Sequence, residues 1–452
     1  MQHFALKFPG VEALKVGGIY DILHTAAGPN QHTHIHLFGY RPDEPKIPGE
    51  GGRVTFDLLA PMPRLTSLSI RGYDCAQVLL VNFENLTKLD LRVMLHGMHP
   101  DPEDPDSERK LYEPFSSAIG KLRHLETLTV NFPLPLTLKL PTLKSLTMVC
   151  TKDGDYKYID SPNFQHLESL GLILENVSKL PLLTYGKNLT SLEIENYSRN
   201  LNYLEGPKFN AIKLKNFAVI TSVPVAIKLD RFENIKNLES LRFKSTSSEV
   251  ALSSQLIEII GQNPLIHTLQ LQGPFTSLSQ IAQEVKKLDA LNAPDFILEA
   301  LDGVEKGSAI SLADIHEFLR GFHNAANVRS LHLYNLPLDA EAVALVAARF
   351  THVFHLGLGF TPSYELNDST IEPLIKMDRL KILHIQRDPD YKDPLPRSTS
   401  RFSLAMLKKI VAKFTQFDNI QVYKTIEGID RAMQLRFAVP IANKAVVANY
   451  YF

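Results

Sequence analysis

Histidine is the residue whose spacing in this chain most invites a chemical reading. His32, His34 and His36 alternate with Thr33 and Ile35, so a strand would set all three imidazoles on one face. Neighbours on such a face stand about 7 Å apart, too far for three rings in a straight row to share one zinc ion. Two of them could ligate zinc only with a third group from elsewhere. Gly357-Leu358-Gly359 and Glu50-Gly51-Gly52 lack the strand-to-helix glycine spacing and the following Lys-Ser/Thr of a phosphate loop. No Gly-x-Ser-x-Gly, His-Glu-x-x-His or Cys-x-x-Cys phrase occurs. The cysteines, Cys75 and Cys150, are far apart and read as buried thiols of a reducing compartment. The expectation is a non-catalytic chain with no metal and no cofactor.

The elements that would position any binding group are repeats. Leu167, Leu170 and Leu172 recur 22 residues later as Leu189, Leu192 and Ile194, apolar at 0, +3 and +5 of each unit. In a short strand alternate side chains take opposite faces, so Leu170 and Leu172 point one way and Ser169 and Gly171 the other. One unit cannot bury three aliphatic residues alone, whereas stacked copies share one apolar spine beneath a parallel sheet. The spacing is that of a leucine-rich repeat. The fold class it predicts is α/β, a leucine-rich-repeat solenoid with a curved parallel sheet on the concave side and turns, then helices, on the convex side.

Three parts are expected: a cap with irregular strands over 1–60, repeats over 61–425, and a helical closing cap over 426–452. Val11/Leu14/Val16 already fits the spacing near the start. Over 61–245 the triplets are Leu65/Leu68/Ile70, Leu86/Leu89/Leu91, Leu125/Leu128/Val130, Leu143/Leu146/Met148, the opening pair and a weaker Phe209/Ile212/Leu214. Most are too close together to hold helices. The acidic, proline-rich stretch His99 to Asp106 reads as an excursion. From Leu238/Leu241/Phe243 the repeats lengthen, through Ile266/Leu269/Leu271, Val328/Leu331/Leu333, Val353/Leu356/Leu358, Leu380/Leu383/Ile385 and a final Phe417/Ile420/Val422. The stretch 288–310 is ambiguous, since Leu288/Leu291/Ala293 ends on a poor core residue. Helical periodicity marks Leu252 to Ile260, Ser311 to Phe322, Glu341 to Phe350 and Ser403 to Phe414, with Ser311 and Asp314 placed as a capping box. Pro389 to Ser400 reads as a second excursion.

Lys and Arg number 48 against 49 acids, so nothing global points to nucleic acid or to an anionic membrane surface. With 44% apolar and 21% charged residues the chain has material for a core. No run of apolar residues is long enough to act as a leader or a membrane span, which predicts an intracellular protein, cytoplasmic or nuclear. Of the sequons at Asn85, Asn176, Asn188, Asn196 and Asn367, Asn85 and Asn188 simply precede a repeat's anchoring Leu, and with no targeting segment none is expected to be glycosylated.

Leu65-Thr-Ser-Leu68, Leu143-Lys-Ser-Leu146, Leu189-Thr-Ser-Leu192, Leu238-Glu-Ser-Leu241 and Val328-Arg-Ser-Leu331 share one phrase at irregular intervals. This wording resembles the leucine-rich repeats behind F-box domains in eukaryotic ubiquitin-ligase substrate receptors. The resemblance implies a substrate receptor recruiting the Skp1 adaptor and a cullin, yet residues 1–60 hold no F-box phrase. Two functions stay open: a scaffold or adaptor that binds a protein on its concave face, and a ligase receptor whose F-box lies elsewhere.

Binding selectivity is expected at +4 and +6 of each unit, because +2 is nearly always small and hydroxylated. Glu193 and Glu195 form an acidic strip beside Lys213, Lys215, Arg242 and Lys244, a set that either docks a charged loop or neutralises itself across the sheet. Further on, the face turns aromatic and imidazole-rich, with His332, Tyr334, His355, His384, Gln386 and Tyr423. Such side chains on a rigid sheet are the preferred partner site.

Overall fold

The structure, a computed structural model, describes residues 13–16, 34–38, 66–72, 85–93, 107–135, 137–153, 155, 159, 162–179, 183, 186–201, 203–205, 213–223, 226–228, 235–245, 259–273, 295–299, 310–322, 325–360, 366–387, 401–413, 419–423, 433–436 and 447–450. They belong to two compact units. The first comprises Met1–Leu201 with Pro207–Lys213, the second Asn202–Gly206 with Leu214–Phe452.

In the first unit the strands are β1 (Ala13–Val16), β2 (His34–Phe38), β3 (Ser67–Gly72), β4 (Lys88–Val93), β5 (Thr127–Val130), β6 (Ser145–Cys150), β7 (Ser169–Leu174) and β8 (Ser191–Asn196). Each pairs in parallel with the next. The register aligns the aliphatic triplets, Leu128 with Leu146 and Leu170 with Leu192. Along β7 and β8 half-buried and buried residues alternate, as a sheet with one covered face requires. Burying each leucine of a triplet is worth about 1.5 to 3 kcal/mol, and the spine collects this at every rung. Strand order therefore follows chain order.

A second device locks the rungs at the strand entry. The carbonyl of residue +1 accepts two amides from the next unit: Glu126 and Thr127 both donate to Thr87 O, at 2.8 and 2.9 Å, and Lys144 and Ser145 both donate to Glu126 O, at 2.9 Å. Helix α1 (Ser107–Ile119) fills the long interval between β4 and β5. It carries Pro114 yet buries Phe115, Ala118 and Ile119, and Tyr112 stacks on Phe132 at 4.8 Å. Residues 99–106, the expected excursion, lie outside the described residues.

The second unit contains β9 (Tyr203–Glu205), β10 (Asn216–Thr221), β11 (Ala226–Lys228), β12 (Ser240–Ser245), β13 (Thr268–Gln272), β14 (Asp295–Glu299), β15 (Ser330–Leu336), β16 (His355–Phe360), β17 (Ile382–Arg387) and β18 (Asn419–Tyr423). β10 and then β12 through β18 run parallel in chain order, while β9 and β11 pair separately. Behind them lie α2 (Leu312–Gly321), α3 (Ala340–Arg349), α4 (Asp368–Ile371) and α5 (Leu404–Lys413). The Ser311/Asp314 capping box is present, and Asp339 caps α3 by accepting from Ala342 N–H. Phe322 packs against Phe318 at 5.8 Å and Phe350 at 5.3 Å, joining α2 to α3 over the covered face. Residues 259–262 are helical, whereas 252–258 and 388–400 lie outside the described residues.

The parallel β-strands in register, with turns behind the short repeats and helices behind the longer ones, make this a leucine-rich-repeat solenoid of the α/β class. One ambiguity is resolved and one expectation needs correction. The strand in 288–310 is β14, aligned through Phe296 with Leu269 and Leu298 with Leu271, so in the repeat spacing Ala293 takes position 0 and not +5. The segment after Tyr423 is not a helical cap among the described residues: β19 (Met433–Arg436) pairs antiparallel with β18, and β20 (Val447–Tyr450) pairs antiparallel with β19. Met433-Gln-Leu-Arg436 alternates apolar with polar, the pattern of a half-covered strand.

Candidate functional site

On the open face of the second unit, β15, β16 and β17 carry a cluster of imidazoles. Register places His332 opposite Gly357 and Gly357 opposite His384, while His355 sits one column earlier, opposite Ser330 and Ile382. Glycine in the middle strand leaves a gap that the His332 and Tyr334 side chains occupy. His355 stands between the others, its centroid 4.3 Å from His332 and 5.0 Å from His384, edge to face in both cases. Tyr334 closes one side, 5.5 Å from His332.

His332 is the most constrained of these groups. It is 7% exposed, and its ring nitrogens lie 3.0 Å from Ser330 Oγ and 2.8 Å from Tyr334 Oη. A neutral imidazole has one donor and one acceptor, so one hydroxyl donates to the ring and the other accepts from it. Burial first, then the charge that His355 and His384 would carry, brings the His332 pKa down to about 3. Burial and His355 likewise bring His384 down to about 4. Near pH 7 both rings are uncharged.

The Ser330–His332 pair looks like a nucleophile with its base, and two observations argue against that use. Ser330 is 2% exposed, and a base of pKa about 3 has almost no drive to take a hydroxyl proton near neutrality. No three of the His, Cys, Asp and Glu side chains among the described residues are arranged to hold a metal ion.

Gly357 is needed for this arrangement. A Cβ there would press on both Tyr334 Oη and His332 Nδ1, closer than real Cβ contacts come. Gly357→Ala, which in an ordinary strand costs nothing, is therefore expected to break the His332–Tyr334 hydrogen bond and lower stability by about 1 to 3 kcal/mol. Urea unfolding of the variant beside the parent measures it.

The remaining expected site residues are distributed differently. Gln386 is half-buried on β17, and Tyr423 is its register partner on β18. Glu193 and Glu195 are half-buried on β8, where Tyr197 Oη donates to Glu195 at 3.1 Å. Arg242 and Lys244 are on the open face of β12, in register with Ala218 and Ile220 on one side and Gln270 and Gln272 on the other. Lys213 and Lys215 are not on that face. The true triplet is Leu214, Phe217 and Val219, so both lysines precede β10 at the strand entry, where Lys213 Nζ reaches Asn188 Oδ1 at 2.8 Å and Lys215 Nζ reaches Glu239 at 2.7 Å. On that face the basic strip is accordingly Arg242 and Lys244 alone. Ser330 and Gly357 belong to the cluster although neither stood out in the sequence; Gly357 could have been found by aligning the +4 positions of adjacent repeats.

Other chemical candidates resolve simply. The Cys150 thiol is free and buried, and burial, then Asp155, pushes its pKa up to about 12, far from reactive. Cys75 lies outside the described residues. His34 and His36 are aligned with Ser67 and Ser69, and His32 is outside the described residues. Of the sequons, Asn196 is fully buried and Asn367 caps α4.

Three solved structures align with this chain at low identity. A leucine-rich repeat protein of Leptospira interrogans is 15% identical, with 91% of this chain and 94% of that one covered and a TM-score of 0.38. A Bacteroides fragilis protein is 14% identical over 72% of this chain and 83% of its own, at 0.31. The mouse RP105/MD-1 complex gives 11% identity, 93% and 76% coverage, and 0.39. No family model and no curated protein matches the sequence. No helix among the described residues is long and apolar enough to cross a membrane.

Proposed function

We propose that the open sheet face of the Leu214–Phe452 unit is a protein-recognition surface centred on His332, Tyr334, His384 and Gln386, with His355 packed between the histidines. The observation that carries it is the packed imidazole–tyrosine cluster, whose rings are set by the sheet before any partner arrives. Such preorganised aromatic anchors lose little conformational freedom on binding. Because His332 and His384 are neutral at pH 7, the patch suits an uncharged partner surface rich in amides and aromatic rings. The role is that of a scaffold or adaptor.

The test is capture from native lysate with the parent protein and with a His384→Ala, Gln386→Ala, Tyr334→Phe variant, all at half-buried positions. Proteins held by the parent should be lost by the variant; retention of all of them refutes the patch. The ligase-receptor alternative rests on repeat wording alone. Recovery of the Skp1 adaptor with a cullin would support it, and absence of both would remove it.

A further inference from the structure

A second feature of the same unit lies at the strand entry, off the open face. A cavity of about 650 Å³ is lined by Arg329, His352, Phe354, Asp378, Arg379, Lys381 and Ile382. Arg329, Phe354 and Lys381 occupy the same +1 rung of three successive repeats: Phe354 N–H donates to Arg329 O at 2.9 Å, and Lys381 N–H donates to Phe354 O at 2.7 Å. At two places elsewhere this column pairs its own charges. Lys144 pairs with Glu126 at 3.1 Å in the first unit, and Lys215 pairs with Glu239 at 2.7 Å in the second. Around Phe354 the alternation stops. Arg329, Arg379 and Lys381 are exposed and make no ion pair among the described residues, and Phe354 is left 38% exposed between them.

We infer that this cleft docks an acidic, extended peptide segment of a partner protein, with an apolar side chain seated on Phe354 and Ile382. Charge complementarity selects carboxylates for the three cations. Adjacent strands are about 4.8 Å apart, so Arg329 and Lys381 stand roughly 10 Å apart, the reach of about three residues of extended chain. The fitting motif is two acidic residues three positions apart with an apolar residue between. Nucleic acid fits worse, because three cations beside one aspartate make no basic track and the central contact is a phenylalanine.

The experiment is fluorescence anisotropy of a fluorescein-labelled Gly-Glu-Leu-Phe-Glu-Gly peptide with the full chain. Binding should weaken at least tenfold in Lys381→Glu and in Arg329→Glu, weaken in Phe354→Ala, and fall as salt rises from 50 to 300 mM, on the order of one to two Debye lengths of added screening. The same peptide with Lys in place of Glu should not bind. All substituted positions are exposed, so circular dichroism melts should match the parent. His384→Ala with Gln386→Ala should leave the peptide bound, which separates this cleft from the open-face patch: either can fail alone. Absence of binding, equal binding of the Glu and Lys peptides, survival of binding in Lys381→Glu, or tighter binding of a ten-nucleotide single-stranded DNA would overturn the inference.

Discussion

Lowering the pH from 7 to 4.5 is expected to cost the Leu214–Phe452 unit several kcal/mol of stability through two histidines. Free histidine titrates near 6.5, whereas His332 and His384 are held down to about 3 and about 4 in the folded chain. Between those values the unfolded chain binds protons that the folded one refuses, so stability falls as pH falls. The contribution is complete above about pH 6.5 and is lost progressively toward the folded pKa values. At pH 4.5 each ring accounts for about 2 to 3 kcal/mol, taking about 1.4 kcal/mol per pH unit over two units. Urea midpoints measured across this range should show the slope, and a His332→Gln, His384→Gln variant should flatten it. An unchanged slope in that variant would mean that other groups govern the acid transition. In the folded chain the same rings stay largely uncharged over this window, so partner affinity should hold until the pH nears 4, where His384 begins to take up a proton.

Asn263→Ala is expected to destabilise the same unit by about 3 to 5 kcal/mol. Asn263 is fully buried, and its side chain serves three backbone groups: Oδ1 accepts from Leu238 N–H at 3.0 Å, while Nδ2 donates to Ile235 O at 2.9 Å and Ile259 O at 2.8 Å. It thereby ties the helical turn of one repeat to the strand entry of the preceding one. Truncation strands three buried polar groups, each costing about 1 to 3 kcal/mol when left unmade. Asn263→Asp keeps the acceptor but loses both donors and buries a charge, so it should be no milder. Hydrogen exchange at the Leu238 amide should accelerate in both variants, and an unchanged rate would contradict this role.

The spine was legible because three aliphatic residues at 0, +3 and +5 leave few other ways to be buried. The two misplaced strands share one cause. Phe209/Ile212/Leu214 and Leu288/Leu291/Ala293 both fit the spacing, but the register of the strand that follows makes the last residue of each position 0 of the next triplet. Leu214 and Ala293 can each be read as +5 of one triplet or as 0 of the next, so the template matches five residues too early. Helix α1 was hidden by the prolines before it and by Pro114 within it, although Phe115, Ala118 and Ile119 carry helical spacing. The histidine cluster was half legible. Its columns followed from the repeat, whereas the part played by Gly357 depends on what an absent side chain permits in the neighbouring strands. The cationic cleft was missed because position +1 reads as a solvated turn until the rungs are aligned and its broken charge alternation appears.

The antiparallel pairing of β19 with β18 bears on how such a chain can lengthen. Copying a repeat works only where the new strand meets neighbours that run its own way and repeat its offset. Beyond Tyr423 direction reverses, so gene duplication within this chain has room upstream of that reversal and meets a stop at it.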